Sequence, residues 1–301
     1  MRQNYQISEQ FPSRKEEEAL GFPVFLFQDY VNLFNNDQSV CPLLIRDSKN
    51  TILAFWIFKQ DNDSWFSPIS APFACPQVYN QMSFDDLCEL SFSFLKKKND
   101  KTIQFIYNPL FSGFSNFKNY RILNVELNHF IEINMDSFIE KLPQKRKKQR
   151  LRALKRSDFT VGQIGIEKWP NVYQQNLNWR FKKGHKNVIS LDLMLQFKNN
   201  FPDNYLGFQL RYLNELIGCA FLVKVSGEYL YLYSLIINPE YDKREPSLLL
   251  YEKIYDYAKT NGFHILDLGT SMDSNRRIHK NIANYKKDIG ALAIRKYTFE
   301  C

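Results

Sequence analysis

Residues 205–238 carry three apolar segments separated by very little chain. Tyr205–Leu213, Leu216–Val225 and Glu228–Asn238 are rich in Leu, Ile, Val, Phe and Tyr, which suit a pleated, half-buried surface. The gaps at Asn214–Glu215 and Ser226–Gly227 leave room only for tight turns. Strands joined in this way run antiparallel, because a parallel crossover needs a dozen residues or more. A doubly wound parallel sheet is therefore excluded for this part of the chain.

The flanks extend the pattern. Ser137 with Glu140 opens a short helix, Pro143 restarts it, and a basic helix follows to about Arg156. Phe159–Ile164 predicts a strand, and Trp169–Lys182 and Leu191–Asn200 predict helices. After the three strands come a helix over Ser247–Asn261, stopped by Gly262, a strand over His264–Leu268, a helical stretch over Ser274–Lys287 and a final strand over Leu292–Phe299. Residues 135–301 thus predict an α+β fold: one curved, mixed but mostly antiparallel sheet flanked by helices.

The first half shows a related mixture. Cys41–Arg46, Thr51–Lys59, Ser64–Ser67, Thr102–Tyr107 and Val125–Asn134 predict strands, a Pro-rich loop spans Pro68–Pro76, and Ser83 caps a helix to Lys98. A chain of 301 residues exceeds the usual size of one domain. The change of character near residue 135 divides it into expected domains 1–135 and 136–301.

Composition narrows the function classes. Hydrophobic residues at 44% and charged residues at 24% exclude a disordered chain. The longest apolar run, around Ile52–Phe58, falls far short of the roughly 18–20 residues of a membrane-spanning helix. The start, MRQNYQISEQ, has no apolar signal segment. Five cysteines without a CxxC, and four histidines without HExxH or HxH, argue against a disulfide scaffold and a metal site. A reducing, cytoplasmic setting and no metal are the expectation. The net charge of +8 has one source: Lys145–Arg156 (KRKKQRLRALKR) holds eight bases and no acid, and elsewhere 32 bases stand against 32 acids.

Several segments together resemble the GNAT acyltransferase fold, and its Fem-like branch in particular. YLYLYSLIIN at 229–238 is similar to the long central strand of that fold. HILDLGTS at 264–271 resembles the Fem-like strand and turn, NYKKDIGA at 284–291 its "FK--FGA" segment, and LPQKRKKQRLRALKRSDFTV the entry to its second half. WFSPISAPF at 65–73 is similar to the loop after the third strand of the first repeat. The resemblance implies two tandem GNAT-like domains, the first degenerate, and an N-acyltransferase. The donor would be acyl-CoA, as a co-substrate, or aminoacyl-tRNA, and the acceptor a primary amine. One departure is plain: the usual glycine-bearing phosphate loop is missing, and 241–250 reads YDKREPSLLL.

The resemblance assigns candidate residues. Lys286 would neutralise a carboxylate, phosphate or oxyanion, and Tyr285 would act as general acid, although Gly290 follows it by five residues instead of the usual four. Late in a helix, Lys286 is expected to be dispensable to folding. Ser234 lies where the fold splays two strands for the acyl group, and either it or Tyr233 faces the cleft or packs in the core. Lys243, Arg244 and Ser247 stand at a helix mouth that suits a donor phosphate, or Ser247 is a plain helix cap. Asp267 and Ser271 border the implied acceptor site, or serve the strand-to-helix connection.

The basic run offers Lys145, Arg146, Lys147, Lys148, Arg150 and Arg152 to a polyanion. Leu151 and Leu154 are expected to dock the helix, leaving most cations outward. Nucleic acid and an anionic membrane surface are the partners in view, and a solvated face is the other reading. The competing function is a non-catalytic binding module that uses this helix.

Overall fold

The computed structural model describes residues 5–34, 40–61, 63–67, 76–79, 82–112, 120–154, 158–185, 189–244, 246–273 and 275–301. The chain divides into two compact units, Met1–Leu127 with Ile294–Cys301, and Asn128–Ala293. The expected boundary at residue 135 compares with a division inside the strand Arg121–Glu132.

In the first unit, β1 (Gln6–Ser8), β2 (Val40–Arg46), β3 (Ile52–Gln60), β4 (Ser64–Ser67) and β6 (Thr102–Tyr107) lie in that order, β5 (Gln77–Val78) pairing separately with β3. The C-terminal strand Leu292–Glu300 pairs with β6, Tyr297 opposite Tyr107. All pairs are antiparallel except β4 with β6. The long helix Phe84–Lys98 starts at Ser83, whose hydroxyl accepts from the Asp86 N–H, and lays Leu87, Cys88, Phe92 and Leu95 on the sheet. Trp56, Phe58, Phe105 and Tyr107 fill the core beneath it, and the buried Trp56 indole donates to Ser67 Oγ at 2.8 Å. The loop expected over Pro68–Pro76 lies almost wholly outside the described residues.

In the second unit the order is β7 (Arg121–Glu132), β12 (Ile265–Thr270), β11 (Tyr229–Ile237), β10 (Glu215–Lys224), β9 (Tyr205–Tyr212) and β8 (Phe159–Gln163). Only β11 with β12 is parallel. Tyr212 sits opposite Glu215, so the β9–β10 turn is Leu213–Asn214, one residue earlier than expected. Both residues have positive φ, 47° and 68°, as a two-residue hairpin turn requires.

Successive side chains of β10 point to opposite faces. Phe221 packs against Trp169 and Tyr173 of the helix Trp169–Lys182. Ala220 and Leu222 join a core with Leu248, Tyr251, Ile254 and Tyr255 of the helix Ser247–Thr260. The last helix runs Lys280–Asp288 only, not from Ser274. The carboxylate of Asp273 accepts the N–H groups of Asn275 and Arg277 at 2.8 and 2.9 Å, a local turn that competes with helix. Gly290 follows that helix with φ +86°, and a Cβ there would lie 2.9 Å from the Lys141 carbonyl oxygen.

Candidate active site

Two irregularities of β11 create the site. Its pairing with β12 covers only Tyr229–Ile265, Leu230–Leu266 and Tyr231–Asp267, and beyond these β11 continues without that neighbour. Against β10, Phe221 faces Ser234 and Leu222 faces Leu232, which leaves Tyr233 as a bulge. A cleft of about 640 Å³ opens along this edge. Ser234, Ser247, Tyr285 and Lys286 all line it, together with Arg146, Arg180, Lys183 and His185. Residues 52 apart in the chain, Ser234 and Lys286, are thus brought to one cavity.

Lys286 is 8% exposed, and its Nζ donates to the carbonyls of Gly269 and Thr270 at 2.8 and 2.9 Å. Burial pushes its pKa down to about 8, with the Asp267 carboxylate opposing the shift. Tyr285 OH and Ser247 Oγ lie 2.8 Å apart. Ser247 is not the helix cap: Pro246 holds that place without a side-chain hydrogen bond, and Ser247 is the first helical residue. The first-turn N–H groups of this helix therefore meet the cleft with no side-chain cap.

Arg180 and Asn176 were not legible as site residues, yet both hold Ser234. Asn176 Nδ2 donates to Ser234 Oγ at 2.9 Å and Arg180 Nη1 at 3.2 Å. The spacing i, i+4 on an otherwise apolar helix face was the available signal. Tyr233 lines the cleft as well, its hydroxyl accepting from the Ile189 N–H at 3.0 Å. No Asp or Glu lines the cleft among the described residues, so its charge is wholly positive. His185 is held neutral to lower pH by desolvation and by the neighbouring Arg180 and Lys183.

Five residues sit otherwise than expected. Asp267 and Ser271 are 0% exposed and do not line the cleft. The Asp267 carboxylate accepts from Asn128 Nδ2, from Tyr229 OH at 2.6 Å and from the Gly269 N–H at 2.5 Å. It fixes the turn at Gly269, φ +73°, that presents two carbonyls to Lys286. Ser271 Oγ pairs at 3.0 Å with Nδ1 of buried His129, whose pKa is pushed down to about 4 by burial and by Lys286 and Lys287. In the basic helix, Gln144–Leu154, Arg146 and Arg150 point inward. Arg146 pairs with Asp288 at 3.2 Å and stands over the Tyr285 ring at 5.4 Å, and Arg150, 5% exposed, pairs with Glu252. Leu151 does not dock the helix, being 52% exposed. The side chains of Lys243, Arg244 and Leu154 lie outside the described residues.

The acetyltransferase (GNAT) domain family matches residues 145–287. No curated protein matches the sequence significantly. Among solved structures, FemX is similar over 98% of this chain and 96% of its own, with TM-score 0.71 and 11% identity. The C-terminal domain of a putative lysylphosphatidylglycerol synthetase from Agrobacterium fabrum is similar over 85% of this chain and 82% of its own, at 0.56 and 14%. A tandem GNAT protein from the clavulanic acid biosynthesis pathway is similar over 99% of this chain and 98% of its own, at 0.52 and 8%. The strand divergence, the matched segment and the shared architecture agree: residues 145–287 match the acetyltransferase (GNAT) domain family, and the chain has the fold seen in FemX and in a tandem GNAT protein.

Proposed function

We propose that the second unit is an N-acyltransferase that moves an acyl or aminoacyl group from acyl-CoA or aminoacyl-tRNA to a primary amine. The observation that carries this reading is the divergence of β11 from β12 beyond the Tyr231–Asp267 pair, with Lys286 held beside the opening. An acyl carbonyl laid along the edge of β11 beyond Tyr231 meets main-chain N–H groups that no strand among the described residues uses.

The amine nitrogen attacks the carbonyl carbon. A C–N bond forms, and the C–S bond of a thioester or the C–O bond of an ester breaks. The amine gives up one proton to solvent, and the departing thiolate or alkoxide takes one from Tyr285, whose hydroxyl is oriented by Ser247 and regains a proton from solvent. Protonated Lys286 stabilises negative charge on the tetrahedral oxygen. No covalent enzyme intermediate is required: Ser234 bonds Asn176 and Arg180, and Ser247 bonds Tyr285.

Both donor classes carry phosphate, and the cleft suits it. Arg146, Arg180 and Lys183 line the cleft, where no Asp or Glu stands among the described residues, and the helix starting at Ser247 adds an N-terminus without a side-chain cap. The glycine-free loop at 241–250 favours a second reading, a donor-less binding module. Calorimetric titration separates the two. Saturable heat with acetyl-CoA, a longer acyl-CoA or charged tRNA, weakened about tenfold or more in Arg180→Ala, supports the transferase. Absence of heat with all three would overturn it.

A further inference from the structure

The helix Gln144–Leu154 has one face bound into the fold and one that the fold leaves unused. Arg146 and Arg150 anchor the inner side through Asp288 and Glu252. Lys145, Lys148 and Arg152 fall on the other side, within about 60° of one another at a helical repeat of about 3.6 residues. All three are exposed, and among the described residues no carboxylate forms an ion pair with them. Leu151 stands at the edge of the same face, 52% exposed. Two ion pairs therefore tie the helix to the fold, and it shows cations and the apolar side chain of Leu151 outward.

We propose that this face docks the protein on an anionic lipid surface. Cations draw a helix to anionic headgroups, and an apolar side chain among them enters the boundary below. A nucleic-acid surface would use the cations equally but has no use for Leu151, and the helix offers no aromatic ring on which a base could stack. Attachment is peripheral, since no helix among the described residues is long and apolar enough to cross a membrane. The placement has a consequence for the site. Arg146 lines the cleft from the inner side of the helix that docks, so the cleft lies one helix diameter from the bilayer.

The test is sedimentation with vesicles and does not depend on acyl transfer. The protein should bind vesicles of phosphatidylcholine mixed with phosphatidylglycerol, release as salt rises, and ignore phosphatidylcholine alone. The combined variant Lys145→Gln, Lys148→Gln, Arg152→Gln should bind roughly a hundredfold more weakly with an unchanged melting temperature, at about fivefold per cation. Leu151→Ser should weaken binding while leaving the salt dependence as it was. Charge reversal by Lys148→Glu alone should act in the same direction as the triple change. No binding at low salt, or equal binding by the triple variant, overturns the proposal. Uncharged tRNA that strips the protein from vesicles at matched charge also overturns it, and marks the face as a nucleic-acid surface.

Discussion

Lys286 Nζ donates to the main-chain carbonyl of Thr270 at 2.9 Å, which ties a buried cation to the end of the strand that leaves β11. Its folded-state pKa, about 8, lies below the usual 10.5. The unfolded chain thus holds this proton to higher pH than the folded one. The cost of keeping it is fully present below pH 8 and is relieved as pH rises from about 8 to 10.5, a gain of about 3 kcal/mol. Comparing urea unfolding of the protein and Lys286→Met across that range should show the rise in the first and its loss in the second. The expectation that Lys286→Ala spares folding is withdrawn: it frees two buried carbonyls and should lower stability by about 1–3 kcal/mol.

Activity should run the opposite way. If protonated Lys286 stabilises the tetrahedral oxygen, kcat/KM declines as pH rises through about 8. Lys286→Arg should lower the rate but remove that decline, because arginine stays charged. A decline that survives in Lys286→Arg shows that another group titrates.

Asp267 is a positioning residue. Asp267→Ala leaves the donors of Asn128, Tyr229 and Gly269 buried without their acceptor, at a cost of about 3 kcal/mol. Denaturation measures this directly. In Asp267→Asn, which retains an acceptor for Gly269, kcat should fall more than KM rises. A change confined to the acceptor KM would restore it to the binding site.

Arg150 separates the two sides of the basic helix. Arg150→Met strands Glu252 and should cost about 3 kcal/mol, while the double change with Glu252→Leu recovers most of it. Vesicle binding of the double variant should match the unaltered protein. Loss of binding there would place Arg150 on the docking face.

The antiparallel run of β9, β10 and β11 was legible because three apolar segments with short gaps admit one connection, and the slip at Leu213–Asn214 arose because two non-glycine residues take positive φ. Lys286, Tyr285, Ser234 and Ser247 came from the resemblance to Fem-like segments, and all four line one cleft. The inward turn of Arg146 and Arg150 was not. Eight consecutive-looking cations carry no mark of which meet Asp288 and Glu252, partners more than 100 residues distant. The burial of Asp267 and Ser271 was hidden likewise, because Asn128 and His129 that cover them come from a distant strand.

A structure with a hydrolysis-resistant acyl donor bound would test the central claim most directly. The account predicts the acyl carbonyl between the diverging ends of β11 and β12, within hydrogen-bond reach of Lys286 Nζ or the β11 main chain, and phosphate at Arg180 and the helix start beside Ser247. Donor density in the separate groove lined by Lys168, Trp179 and Arg211, or none at saturating concentration, would contradict it.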